Sequence, residues 1–494
     1  MPAFSPSVRL DHAFLLRLAD WLVVLVAISL PWSITATGIC IAAWLVVVLP
    51  GLDLESVRRE VASARGGLPV ALWCLGLIGM IWAGVDWTQR FEGLAAFHRL
   101  LVIPLLLAQF RRSDHGERVI CGFLLSSAIV LVVSYMLIIV PGLTPQGKVV
   151  GIPVHDDIFQ GSIFIICGFG ALGYAAIEGF KRHVLAALAS VVIAGLFLAN
   201  FLFVPVFSRI VLAIVPVLAG LLGWRLSRWR GLLVTFILAV ALSVAFWFTS
   251  PSLRAHVYHS LDEFREYNAE NTATSIGRHV AFLKESLAII SSAPLIGHGT
   301  GSIAEEFRQV TSGKIGAAAV PTVNPHNQTF AVAIQIGLIG AIVLWSMWIA
   351  HIHLFRGEGI VAWLGTVVVV ENIVSSTVHS HLSDFANGWL YVFGVGVLGG
   401  MVLRQQSKSW VAAPPLSETH DIPPIKSMSQ AADRSGYTNY SSELCAISLD
   451  DANSAVTQNY RQNSGVLVIL ESICRAYIIG VICVARRAQV AMAT

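Results

Sequence analysis

Long apolar runs separated by short polar stretches dominate this chain. They occupy residues 15–31, 34–51, 69–85, 94–109, 119–141, 158–178, 184–204, 210–224, 232–249, 328–350, 359–376 and 386–403. Each is close to the roughly 20 residues a helix needs to cross a hydrocarbon layer. Each carries few charges, although the fourth includes His98 and Arg99. A spanning segment must satisfy its own backbone hydrogen bonds, so helix is the structure these runs dictate. About twelve spans are expected.

Composition agrees. Hydrophobic residues make up 56% of 494 and charged residues 12%, with mean hydropathy +0.73. A soluble protein of this size needs about 25% charged residues to cover its surface. The chain reads as an all-α polytopic membrane protein. A net charge of +3 is too small to argue for a nucleic-acid partner, so the placement of the charges matters more than their sum. One set of short loops holds Arg9 and Arg17; Arg58, Arg59 and Arg65; Arg111, Arg112 and Arg118; Lys181 and Arg182. It continues with Arg225, Arg228 and Arg230, then Arg356, then Arg404 and Lys408. The opposite loops hold little beyond Arg90, Lys148 and Arg209. The positive-inside rule makes the first set cytoplasmic and puts both termini inside. The N-terminal run lacks a convincing cleavage site and reads as a retained first span. Seven cysteines without a CxxC pair indicate neither a disulfide framework nor a zinc site.

The chain thus falls into four regions. Residues 1–249 hold the first nine spans, 250–327 form one large outward loop, 328–405 hold the last three spans, and 406–494 form a cytoplasmic tail. Within the loop, Thr274 and Ser275 are N-cap candidates, and Val280, Leu283, Leu287 and Ile290 recur at helical spacing. An amphipathic helix lying on the membrane face is expected there. Residues 411–464, rich in Pro, Ser, Asn and Asp, read as disordered. Glu471 and Arg475 interrupt the apolar stretch near 465–484 and argue against a thirteenth span. No internal repeat is visible.

Outward span ends carry the chemistry-bearing residues. Asn324 is a suitable N-cap with Pro325 at the first helical position, which would put His326 in the first turn. The helix dipole there keeps an imidazole neutral and able to act as a base. Gly337 and Gly340 return to within about 20° and 40° of the His326 face at 100° per residue, and would permit close helix packing. Taken alone, His326 also fits a capping residue above an ordinary seam. Arg209 opens the eighth span after a short outward turn and alone reads as an interfacial arginine. Arg278 lies near the start of the loop helix, where a solvated surface charge is the plain reading. Arg99, inside a span, is expensive unless it is functional or paired, with Asp86 or Glu92 as partners in sequence reach. The glycine-rich turn from Pro294 to Gly301 alone reads as a chain reversal. Asp156 and Asp157 read as a loop-capping pair.

Together these residues resemble a known family. His326-Asn327, nine residues, then Gly337 and Gly340 is similar to the HN-x9-GxxG signature of bacterial O-antigen ligases, in the O-antigen ligase/polymerase superfamily. Ser208-Arg209 before a span, Gly277-Arg278 in the large loop, and the Gly297–Gly301 turn resemble that superfamily too. The resemblance covers about residues 10–405. It implies a metal-independent GT-C-like membrane glycosyltransferase of the cell inner membrane, without a cofactor. The donor would be O-antigen on undecaprenyl diphosphate and the acceptor lipid A-core oligosaccharide, at the periplasmic face. His326 would be catalytic, supported by Asn327, Gly337 and Gly340. Arginine's two-pronged, permanently charged guanidinium suits a diphosphate, which makes Arg209 and Arg278 the leading ligands and Arg99 a third. No carboxylate pair suggests double displacement. Alternatives are an O-antigen polymerase, a protein O-oligosaccharyltransferase, and, from another class, a secondary transporter. A transporter would show related halves and midplane polar residues, and neither is visible.

Overall fold

The computed structural model describes residues 12–179, 183–204, 209–249, 251–270 and 273–412. Among them every regular element is helical. The chain divides into the units Met1–Gln405 and Gln406–Thr494, and the bundle and the candidate site belong to the first. The tail beyond residue 412, including the stretches assigned to disorder and to the charged apolar segment, lies outside the described residues, as do Lys181, Arg182 and Ser208.

The chain opens with α1 (His12–Ser29), α2 (Ile34–Gly51) and the short α3 (Leu54–Val61). Asp53 caps α3 by accepting from the Glu55 N–H. The chain then bends by 82° into α4 (Ala64–Gly79). Next, α5 (Trp87–His98) runs through a 3-10 turn at Arg99–Leu101 into α6 (Val102–Arg112). Pro104, at the start of α6, has no N–H to extend an unbroken ladder, which is where a tightened turn is expected. Then come α7 (Gly116–Ile139), α8 (Asp157–Tyr174), α9 (Val184–Phe203) and α10 (Arg209–Thr249). The last of these is broken at Ser227 and Arg228, the latter at φ 52°. Its halves fold back so closely that a Cβ on Gly231 would collide with the Gly223 carbonyl. The large loop comes next, as α11 (Pro251–Glu270), α12 (Ser275–Ser292) and α13 (Ile303–Thr311). The chain then returns through α14 (Gln328–Leu354), α15 (Ile360–Ser375) and α16 (Phe385–Ala412).

Among the described residues, seven helical segments are long and apolar enough to cross a membrane, or eight if the bent α3–α4 pair counts as one span. That is fewer than the twelve expected. Part of the difference has a visible cause: α15 is only 16 residues long, and α10 is two shorter helices joined at a break. Large apolar side chains such as Val46, Leu125, Leu185, Phe236 and Ile342 are exposed. In water so many would be an aggregation hazard, whereas against lipid tails they are at home. Inside the bundle α1 packs on α2 and α7, α8 on α9 and α15, and α14 on α4. Buried indoles find partners, Trp44 Nε1 donating to Gln109 at 2.9 Å and Trp363 Nε1 to the Phe169 carbonyl at 2.8 Å.

The helix expected in the loop forms as α12, and Thr274 caps it by accepting from the Gly277 N–H at 3.1 Å. Its apolar face differs from the expectation. The buried residues are Gly277, Ala281, Phe282, Glu285, Ser286 and Ile289, and Phe282 and Ile289 share a core with Phe307 and Ile334. The helix therefore buries that face against α13 and α14 rather than laying it on the membrane.

The start of α14 also corrects the sequence reading. Asn327, not Asn324, is the N-cap, accepting from the Phe330 N–H at 3.1 Å. Pro325 and His326 precede the helix. Nor do Gly337 and Gly340 return to a His326 face, because α14 is interrupted at Gly337, with φ 70° and ψ −166°. The turn from Pro294 to Gly301 fills that break. His298 and Gly299 donate to the Ile334 and Gln335 carbonyls at 2.8 and 2.9 Å, while Leu338 and Ile339 donate to the Pro294 and Leu295 carbonyls at 2.8 and 3.4 Å. Unwound backbone at membrane depth survives where protein meets its polar groups in this way. A Cβ on Gly337 would fall 2.1 Å from the Leu295 oxygen, and one on Gly297 2.6 Å from the Gly337 nitrogen. The atoms nearest a Cβ on Gly340 belong to Ile336 and Val332, on the other side of the break in the same helix. The same turn reaches α4, where Thr300 donates to the Gly79 and Gly76 carbonyls.

Candidate active site

His326 occupies a left-handed backbone position, φ 53°, uncommon for a residue with a side chain. Its N–H donates to Asn324 Oδ1 at 2.9 Å. The same oxygen accepts from the Ser380 hydroxyl at 2.7 Å. Asn324 therefore links His326 to the connection between α15 and α16. The next two residues repeat that link, Asn327 Nδ2 donating to the Thr377 carbonyl and the Gln328 N–H to the Ser376 carbonyl. Leu382 in turn donates to Gln328 Oε1 at 2.9 Å. The asparagine of the His-Asn pair thus caps α14 and ties two segments together.

Three rings surround the His326 imidazole. From α12, Phe282 stacks on it with centroids 5.7 Å apart, and His279 meets it edge-on at 5.0 Å. From the α15–α16 connection, His379 meets it edge-on at 5.2 Å. His326 Nδ1 is buried and has no hydrogen-bond partner within the chain. Burial, then the nearby His279, His379 and Arg278, push the His326 imidazole down to about 4. It is neutral at neutral pH, as the sequence led us to expect, but burial leads the causes and neighbouring positive charge comes second. His379 is also lowered by burial, opposed by Asp384, Asp156 and Asp157. Beneath it His381 is wholly buried and pushed down to about 3.

Arg278 lies in the first turn of α12, exposed, beside His279. Its charge reaches His326, so the structure brings these two expected residues together. Arg209 is the first residue of α10. Arg99 is placed differently. Its guanidinium is buried and donates to the carbonyls of Asp384, Phe385 and Ser383, so it braces the chain entering α16. Asp86 is occupied in capping α5, and Asp156 caps α8 by accepting from the Phe159 N–H at 2.7 Å. No group of three or more His, Cys, Asp or Glu among the described residues is arranged to hold a metal ion.

A polar cavity of about 510 Å³ opens beside Asn324, Pro325 and His379, between α5, the Gly301 turn and the α15–α16 connection. Sequence reasoning missed His279, Phe282, His379 and this cavity. His279 adjoins Arg278, and His379 and His381 crowd the short connection between α15 and α16, which are the signals that could have raised them.

The arrangement offers a neutral imidazole with a free nitrogen, a cation on one neighbouring helix and a polar cavity on the other side of the connection. No curated protein matches the chain. The family whose model matches, over residues 194–345, is described as O-antigen ligase. Over this stretch, which carries Arg209, Arg278, His326, Gly337 and Gly340, the chain is similar to O-antigen ligase.

Proposed function

We propose that this chain is an O-antigen ligase of the bacterial inner membrane. It moves O-antigen from undecaprenyl diphosphate to lipid A-core oligosaccharide at the periplasmic face, as a GT-C-like, metal-independent glycosyltransferase with both termini in the cytoplasm. The observation that carries this reading is a buried, neutral His326 with an unpartnered Nδ1, flanked by His279, which adjoins Arg278, and by His379, which lines a polar cavity. His326 takes the proton of the acceptor hydroxyl as it attacks the anomeric carbon. Arg278, with Arg209, holds the departing diphosphate through paired hydrogen bonds. One displacement inverts the anomeric centre. Arg99 serves as a brace for the α16 entrance, not as a phosphate ligand.

The test is the lipopolysaccharide ladder of a strain lacking this chain. A ligase is expected to leave lipid A-core bare while lipid-linked polymer accumulates. Core capped by a single repeat unit would identify a polymerase instead, and an unchanged ladder would overturn both readings.

A further inference from the structure

The polar cavity has a lining that sorts chemistry. Gln89 and Glu92 lie three residues apart on α5, on one face. Neither side chain has a hydrogen-bond or ion-pair partner among the described residues, and both border the cavity. Across from them are Ser383, His379, Asn324 and Asp384. Asp384 commits one oxygen to Asn387. Among the described residues no Lys or Arg lines the space.

A carboxylate accepts two hydroxyl protons, and an amide both gives and takes. Together they read neighbouring hydroxyls on one ring. The two carboxylates, Glu92 and Asp384, repel a phosphate. A volume of about 510 Å³ lies within the range of about 300–1,000 Å³ usual for small-ligand sites. The cavity's position points the same way, given the ligase reading on which this step rests. In a single displacement the nucleophile arrives opposite the leaving group. Arg278 adjoins His279, which meets the His326 ring from α12, while His379, which lines the cavity, meets that ring from the α15–α16 connection.

We propose that this cavity is the acceptor subsite, in which Gln89 and Glu92 hold the hydroxyls of an uncharged sugar and present one to His326. The donor's phosphates do not enter it.

The test uses the full chain in lipid nanodiscs and two probes. One is core oligosaccharide freed of lipid A, and the other is inorganic pyrophosphate. Calorimetric titration should show saturable oligosaccharide binding that weakens at least tenfold in the Gln89→Ala/Glu92→Gln double variant. Pyrophosphate should not compete. In a parallel transfer assay the variant's acceptor KM should rise by a similar factor while donor KM stays within about twofold. Wild-type protein that binds no oligosaccharide, a variant that binds it equally well, or competition by pyrophosphate would overturn the subsite. Oligosaccharide binding by a wild-type protein that performs no transfer would refute the ligase reading and leave the subsite standing.

Discussion

Replacing Gly337 with Ala should uncouple α14 from the turn lodged in it. At φ 70° and ψ −166° the backbone occupies a region nearly exclusive to glycine, where a side chain costs about 1–3 kcal/mol. The new Cβ would also lie 2.1 Å from the Leu295 oxygen and 2.5 Å from the Ile296 nitrogen. Backbone cannot rotate away as a side chain does, so the turn must leave. Its departure breaks the bonds from His298, Gly299, Leu338 and Ile339, each worth about 0.5–1.5 kcal/mol net. Rewinding α14 over the break recovers about 1 kcal/mol, because alanine is the better helix former. Rewinding also relieves the backbone strain, so the net loss is the four bonds less the helix gain, about 3 kcal/mol. Thermal unfolding of the purified protein, followed by tryptophan fluorescence, should show a strongly lowered midpoint, and transfer should be lost. Gly142→Ala is the control, since a Cβ there meets nothing within 4 Å. If Gly337→Ala matched Gly142→Ala in both midpoint and transfer, the seam would not be holding the site.

His326→Ala should lower transfer roughly 10²–10⁴-fold with donor binding largely kept. With the imidazole pushed down to about 4, wild-type rate should be level from pH 6 to 8 and decline only towards pH 4. A rate that falls as pH rises through 6–7 would show that the protonated form is the active one. Arg278→Ala should abolish transfer in correctly inserted protein, and Arg278→Lys should restore it only partly, because a point charge lacks the paired donors. Full activity in Arg278→Ala would remove it from the diphosphate site. Burial pushes the Glu285 carboxyl up to about 7 despite Lys314. Its stabilising contribution is complete below its ordinary 4.5 and is lost as pH rises through 7. Glu285→Gln should therefore lower the dependence of the thermal midpoint on pH between 5 and 8, and an unchanged dependence would refute this.

The sequence revealed local signals and hid those that depend on a distant partner. Apolar runs located the long helices, and Thr274 caps the loop helix where its spacing predicts. The cap of α14 was misread because Asn324 and Asn327 are equally good caps in isolation, and proline favours a first helical position. What decides is tertiary: the Asn324 side chain is already engaged by His326 and Ser380. His379 lies 53 residues beyond His326, and no spacing rule connects them. The glycines at 337 and 340 fit a packing motif as well as a break, and only the arrival of the Pro294–Gly301 turn distinguishes the two. Arg99 looked costly for the right reason, but its partners are backbone carbonyls that carry no mark in a sequence.

That turn also sets an order of assembly. Its hydrogen-bond partners are Gly76 and Gly79, made more than two hundred residues earlier, and Ile334 to Ile339, made some forty residues later. As the chain emerges, α4 must already be in place to receive Thr300, and α14 can adopt its interrupted shape only once the turn is there to occupy the gap. Arg278 precedes this junction and His326 lies between its two halves, so neither can reach its final position before α4 and α14 have met across the turn. The surroundings of His326 therefore rest on segments far apart in the chain, and are complete only when α4, the turn and α14 are together.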